Sequence, residues 1–340
     1  MKDSLERHQL QLGQNHEGSI KILRDLSLIY RYHNQPYRAE ENLLKIVEYY
    51  RSKLKEDDSL EDFRAINRAL SSLIIFYIGQ GKYQTAETLF KERLDISQQH
   101  VKAIERRITQ INSNSPEGIS LSYHHSYASQ EILHIMESLA RFYLLENRYS
   151  EAEKVLLEAR FLALEDRSLF NIDISLVEMY IDHGEYNKAK NLLNNLEKTL
   201  AIDEFDLDAI EDVFLRIRFL DFLHWRHHLS MLQEDYSSAL DAIHQKRKLI
   251  QSSDFQSVSY SNYINSGYYQ DLAIIYGLMG EYDKYVALLG QVGDAEEDIL
   301  GTQILGGTES QKQALLNSQG YFILKTVLSV SRPNLQNRSA

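Results

Sequence analysis

The sequence predicts an all-α solenoid of stacked antiparallel helix pairs, and three observations carry the prediction. One spelling recurs: "YIGQGKYQTA" at 77–86, "YLLENRYSEA" at 143–152, "YIDHGEYNKA" at 180–189 and "YGLMGEYDKY" at 276–285. Apolar residues fall three and four apart on both sides of these copies, which is the helical period interrupted by a short turn. Finally, 340 residues with 43% hydrophobic content supply a core, while 3 Pro and 15 Gly supply few of the turns that an all-β chain needs.

The first pair centres on "YRYHNQPYRAEENLL" (30–44), where Pro36 occupies the turn and Tyr37 and Ala39 stand one residue closer than in later copies. In the second pair Leu70, Leu73, Ile74 and Tyr77 form a stripe that resumes after the turn as Ala86, Leu89 and Phe90. A helical pattern then runs to about Ile111, and "SNSPEGISLSYHHS" (113–126) predicts a loop. The third pair repeats the stripe with Met136, Leu139, Ala140 and Tyr143, then Ala152, Val155, Leu156 and Ala159. The fourth pair turns on Tyr186 and Ala189. The fifth turns on Tyr236 and Ala239, with Ser230 where other copies begin on tyrosine. "SSDFQSVSYSNYINSG" (252–267) predicts a polar separator before the sixth pair, which turns on Tyr282 with Tyr285 in place of alanine.

Each feature has a packing reason. Gly81, Asn147, Gly184 and Gly280 occupy breaks where a residue tolerant of positive φ ends a helix. The small Ala86, Ala152, Ala189 and Ala239 let the second helix approach the first. Tyr83, Tyr149, Tyr186, Tyr236 and Tyr282 have the shape to wedge between successive pairs with their hydroxyls near water. One pair cannot bury its apolar faces alone, whereas stacked pairs can. The expectation is a solenoid of about six irregular pairs over residues 1–290, followed by a C-terminal capping or junction segment with a ragged tail over 291–340.

The pattern Tyr-x3-Gly/Asn-x-Tyr-x2-Ala, with an apolar residue four after the alanine, resembles the tetratricopeptide-repeat (TPR) family over most of residues 20–290. The steps between second tyrosines are irregular, at 46, 66, 37, 50 and 46 residues, against about 34 in a plain TPR. Extended helices or inserted loops are therefore expected. The resemblance implies a right-handed superhelix whose first helices line a concave groove that binds a protein or peptide. It puts Arg24, Asp25, Arg31 and Tyr32 inward in the first copy, then Arg68, Ser71 and Ser72, then His134, Glu137 and Arg141. Asn171, Ser175, Glu178 and Asp182 follow, and finally Asp221, His224 and His228. Pairs four apart on these helices (Arg24/Leu28, Glu137/Arg141, Ile174/Glu178) lack the Lys and Asn of the chaperone-tail clamps in this family.

A second resemblance lies at the C-terminus. "GTESQKQALL" and "TVLSVS" within 294–331 resemble the junction between the helical arm and the caspase-like CHAT domain of certain TPR proteins. It implies the sensing arm of a protease system. The chain itself holds no cysteine, so thiolate nucleophiles, thiolate zinc sites and disulfides within it are excluded.

Other chemistry is narrowed in the same way. A net charge of −12 argues against nucleic acid as a partner. The acidic run Asp203, Glu204, Asp206, Asp208, Glu211 and Asp212 marks a solvated helix start or a site for a basic partner. "GQGKYQT" (79–85) lacks the remaining residues of a phosphate loop, and neither Gly-x-Ser-x-Gly nor His-Glu-x-x-His occurs. Asp221, His224 and His228 share a helix face, and His224 and His228 have the spacing to share a metal but no identified third ligand. His124 and His125 fall in the expected loop. The N-terminal "MKDSLERHQLQLGQ" lacks a secretory apolar core, and "LIIFYI" (73–78) is too short to span a bilayer. The expectation is a cytoplasmic, cofactor-free, non-enzymatic adaptor for a protein or peptide, with a sensor of a small signalling peptide as a variant of that reading.

Overall fold

The computed structural model describes residues 16–56, 59–111, 115–163, 166–200, 213–251 and 258–292, and no strand occurs among them. The chain divides into two compact units, Met1–Ile172 and Asp173–Ala340. The first holds α1 (Glu17–Tyr32), α2 (Pro36–Glu56), α3 (Leu60–Gly79), α4 (Tyr83–Ile108), α5 (Pro116–Leu145), α6 (Tyr149–Leu162) and the start of α7 (Asp166–Asp182). From α1 to α6 each helix packs on the next in chain order. The second unit holds the rest of α7, α8 (Tyr186–Leu200), α9 (Val213–Leu232), α10 (Tyr236–Gln251), α11 (Val258–Leu278) and helical residues 282–292, here α12. Within it α8, α9, α10 and α11 also pack in sequence.

One turn joins the helices of each pair. Asn34, Gly81, Asn147, Gly184, Glu234 and Gly280 all have φ between 53° and 78°. In the second pair the Lys82 amide donates to Tyr77 O at 2.9 Å and the Gly81 amide to Ile78 O at 3.0 Å, which is the Schellman closure. The same two bonds recur at Gln35 and Asn34, at Arg148 and Asn147, at Glu185 and Gly184, at Asp235 and Glu234, and at Glu281 and Gly280. Pro36 thus stands two residues after the left-handed Asn34, as Tyr83 stands after Gly81, and it opens α2 rather than occupying the turn. The apparent shortening of the first copy disappears: Ala39 follows Pro36 by three residues, as Ala86 follows Tyr83.

The alanines behave as contact points. Ala39, Ala86, Ala152, Ala189 and Ala239 are fully enclosed, and the residue four later (Leu43, Phe90, Leu156, Leu193, Ile243) is buried beside each. In the last copy, Tyr285 replaces the alanine and its ring lies against Gly277 on the facing helix. A large and a small residue have exchanged places across that contact.

The two tyrosines of each copy have different surroundings. Tyr83 is 43% exposed, with its ring 6.3 Å from Phe142 of the next pair, and Tyr282 is 54% exposed. Tyr149, Tyr186 and Tyr236 are half-buried. The tyrosines that open the spelling, Tyr77, Tyr143 and Tyr180, are buried. A cation covers each of these rings, Lys82 over Tyr77 at 5.2 Å, Arg148 over Tyr143 at 4.3 Å and Lys188 over Tyr180 at 4.9 Å, and Lys284 covers the half-buried Tyr276 of the last copy at 4.7 Å. The glutamate after the preceding alanine completes a latch between pairs. Lys82 Nζ lies 3.0 Å from both oxygens of Glu40. Arg148 Nη1 donates to Glu87 Oε2 at 2.8 Å, while Tyr143 Oη donates to Glu87 Oε1 at 3.1 Å. Burial first, and then Glu40, pushes the Tyr77 hydroxyl up to about 12.

Most of the expected loop and part of the expected polar separator are helical. α5 begins at Pro116, so 116–126 is helix and His124 and His125 sit within it. The local chemistry explains this: Ser115 Oγ accepts the Gly118 amide, Pro116 sits at the first helical position and Glu117 lies in the first turn. These are start signals as much as breakers. Residues 258–267 of the expected polar separator likewise belong to α11. The long step between the second and third copies is taken up by α4 and α5, of 26 and 30 residues. Their extra turns cover a satellite core of Phe63, Ile104, Leu121 and Ala128.

Candidate functional site

The first helices carry the residues singled out from the sequence, most of them exposed and the others half-buried. On α1, Arg24, Asp25, Arg31 and Tyr32 are exposed, with Leu28 among them. On α3, Arg68 and Ser72 are exposed and Ser71 is half-buried, flanking the exposed Ile75. On α5, His134 and Arg141 are exposed and Glu137 is half-buried. On α7, Asn171 and Asp182 are exposed while Ser175 and Glu178 are half-buried.

Three of these residues meet in one place. His134, Glu137 and Asn171 line a cleft of about 160 Å³ within the first unit, together with Gln130 and Ser168 and an apolar floor of Leu133 and Ile172. Two successive first helices, α5 and α7, form its walls. His134 Nδ1 lies 3.4 Å from Glu137 Oε2, and that hydrogen-bonding carboxylate raises the imidazole above its ordinary value. The cleft therefore offers hydrogen-bond donors and acceptors over an apolar floor. Arg24, Asp25, Arg31, Arg68, Arg141 and Glu178 are not among its lining residues.

In the second unit Asp221 and His224 are exposed on α9 and His228 is half-buried. The His224 and His228 rings are 6.4 Å apart, and Trp225 lies edge-on to His224 at 5.1 Å. Burial, reinforced by Lys246, lowers His224, while burial raises Asp221. Among the described residues no group of three or more His, Asp or Glu side chains is placed to hold a metal ion. Phe222, beside them, is core. The acidic run 203–212 and the CHAT-like stretch 294–331 lie outside the described residues. None of the described helices is long and apolar enough to cross a membrane.

The sequence reading missed Gln130 and Ser168 in the cleft, and it missed the latch glutamates Glu40 and Glu87. The signal for the latch was present: Ala-Glu follows the turn at 39–40, 86–87 and 152–153.

No family model and no curated protein sequence matches this chain. Solved structures do match. BtubC (BKLC) from P. vanneervenii aligns with a TM-score of 0.53 at 16% identity, over 80% of this chain and 93% of that one. A kinesin light chain-like protein from Podosopora anserina with nearly identical TPR-like repeats gives 0.41 at 16% identity, over 71% and 99%. A tetratricopeptide repeat protein from Parabacteroides merdae ATCC 43184 gives 0.32 at 13% identity, over 88% and 97%. At 16% identity the likeness to BtubC is one of fold. The chain has an all-α, TPR-like architecture.

Proposed function

We propose that this chain is a non-enzymatic interaction scaffold in the cytoplasm that binds an extended peptide or partner segment along its first helices. The observation that carries the reading is the α5–α7 cleft, where His134, Glu137 and Asn171 from two successive repeats converge beside Gln130 and Ser168. Repeat arrays bind in this manner because each pair presents similar groups at a regular interval, so a ligand main chain can be held step by step. Arg24, Asp25, Arg31, Arg68, Arg141 and Glu178 would extend the contact in the same proposal, and His224 and His228 would offer a separate face on the second unit.

The test is a peptide-display selection on the full chain, followed by anisotropy titration of the selected peptides. Replacing both His134 and Asn171 with alanine should weaken binding about tenfold or more, as expected when two hydrogen-bonding groups are lost from a desolvated contact. Selected peptides that bind the double variant as tightly as the parent would overturn the assignment of the site. A signalling-peptide sensor is the finer form of this reading, and it additionally requires scattering of the chain to change when such a peptide saturates it.

A further inference from the structure

The longest helices build a second cleft that the peptide reading does not use. The extra turns of α4 and α5 run past the pair they belong to, and with the start of α3 they enclose about 260 Å³. Its floor is the apolar Ile104 and Leu121 of the satellite core. Above the floor stands His100, buried and stacked on Phe63 with 4.0 Å between ring centroids and 9° between planes. His124 faces the same space from α5, beside the hydroxyl of Ser120, and Arg107 lines it from α4. We propose that this cleft binds a small oxyanion, a phosphate ester or a carboxylate, whose apolar part rests on Ile104 and Leu121.

The groups around the space set the sign. Arg107 is a fixed cation, and two imidazoles share the lining with it. Arg64, from α3, lies over the Tyr127 ring at 4.0 Å and contributes further positive field. The carboxylates are Glu117, which lines the cleft 3.8 Å from Arg107, and Asp62, whose Oδ2 accepts the hydroxyl of Ser59 at 2.8 Å. Glu105 is bonded to His125 at 3.2 Å instead. Glu117 is 63% exposed, so it can turn away to water when an anion takes its place beside Arg107. Burial, with Arg64 next, lowers His124. The His124 imidazole is therefore neutral near pH 7, and an anion beside it draws a proton onto it. Affinity for a carboxylate, whose own charge is constant near neutrality, should rise as pH falls and the histidine takes up its proton.

The experiment follows the imidazole resonances of the full chain by NMR during separate titrations with inorganic phosphate and with butyrate. A saturable shift confined to His100 and His124 is the expected result. Saturation by phosphate alone identifies a phosphate ester, and saturation by butyrate alone identifies a carboxylate. Arg107→Ala should weaken the effect about fivefold and Glu117→Gln should strengthen it about twofold, as for losing one partly exposed charge of either sign. Ser120→Trp, at an exposed position, should block the cleft while leaving the melting temperature unchanged. Shifts that never saturate or that spread over all imidazoles would overturn the proposal. So would indifference to Arg107→Ala, or weakening by Glu117→Gln, which would indicate a cation instead.

Discussion

Glu234 is the residue where local strain is easiest to see. It holds φ 58° in a turn whose counterparts include three glycines. A β-carbon in the left-handed region costs about 1–2 kcal/mol, part of which glycine's greater freedom in the unfolded chain offsets. Glu234→Gly should therefore stabilise the second unit by about 0.5–1 kcal/mol in urea titration. Glu87 shows the opposite case, a residue whose surroundings favour its charge. Arg148, then Lys91, and then the Tyr143 hydroxyl hold its carboxyl at about 2. A group lowered in the folded state adds stability that is complete above the unfolded carboxylate range, near 4.3, and is lost as pH falls through the folded value. Stability should thus drop between about pH 5 and pH 2, and Glu87→Gln should flatten that drop in parallel melts. His134 has the reverse sign, since Glu137 raises it and its contribution fades as pH rises. As its ring is exposed, that contribution is small.

At the scale of elements, the helices are locked by polar clamps as well as by apolar stripes. Arg93 of α4 reaches Glu131 of α5 at 2.5 Å with both side chains mostly covered, and its Nε donates to Asn67 Oδ1 of α3 at 3.1 Å. Ser97 Oγ lies 3.3 Å from the same oxygen and 3.0 Å from Arg93 O and can donate to either, and Asn67 Nδ2 donates to Phe63 O at 3.1 Å. Three helices therefore share one satisfied network. Arg93→Met leaves Glu131 covered and unpaired and should cost about 3 kcal/mol, whereas Arg93→Met with Glu131→Leu should recover most of the loss. Denaturant titration of the two variants decides between a clamp and an incidental contact. The clamp was not legible in the sequence, because Asn67, Arg93 and Glu131 lie far apart and follow no repeat. The turns were legible, since Gly81, Asn147 and Gly184 spell their own backbone requirement. The start of α5 was misread because Ser115, Pro116 and Gly118 are punctuation in either direction: only the cap bond from Ser115 distinguishes a helix start from a loop. The cations over the tyrosines escaped notice for a related reason. Lys82 and Arg148 precede the second helix, while Lys188 and Lys284 lie inside it, so no single spacing records their shared role.

For the molecule as a whole, the repeated spelling made the fold class readable, while the two clefts relate to it in opposite ways. The α5–α7 cleft draws on ordinary first-helix positions, so the sequence reading named three of its residues. The cleft over Ile104 and Leu121 exists because two helices overrun the repeat length, and no motif announces an overrun. The packing order reported above has a kinetic side. Helices in each unit touch partners next to them in the chain, so forming a contact closes only a short loop and loses little chain entropy. Such low contact order belongs to chains that fold in microseconds to milliseconds. Any pair can serve as the nucleus from which structure spreads, and damage to one turn should slow its neighbours before it reaches the rest.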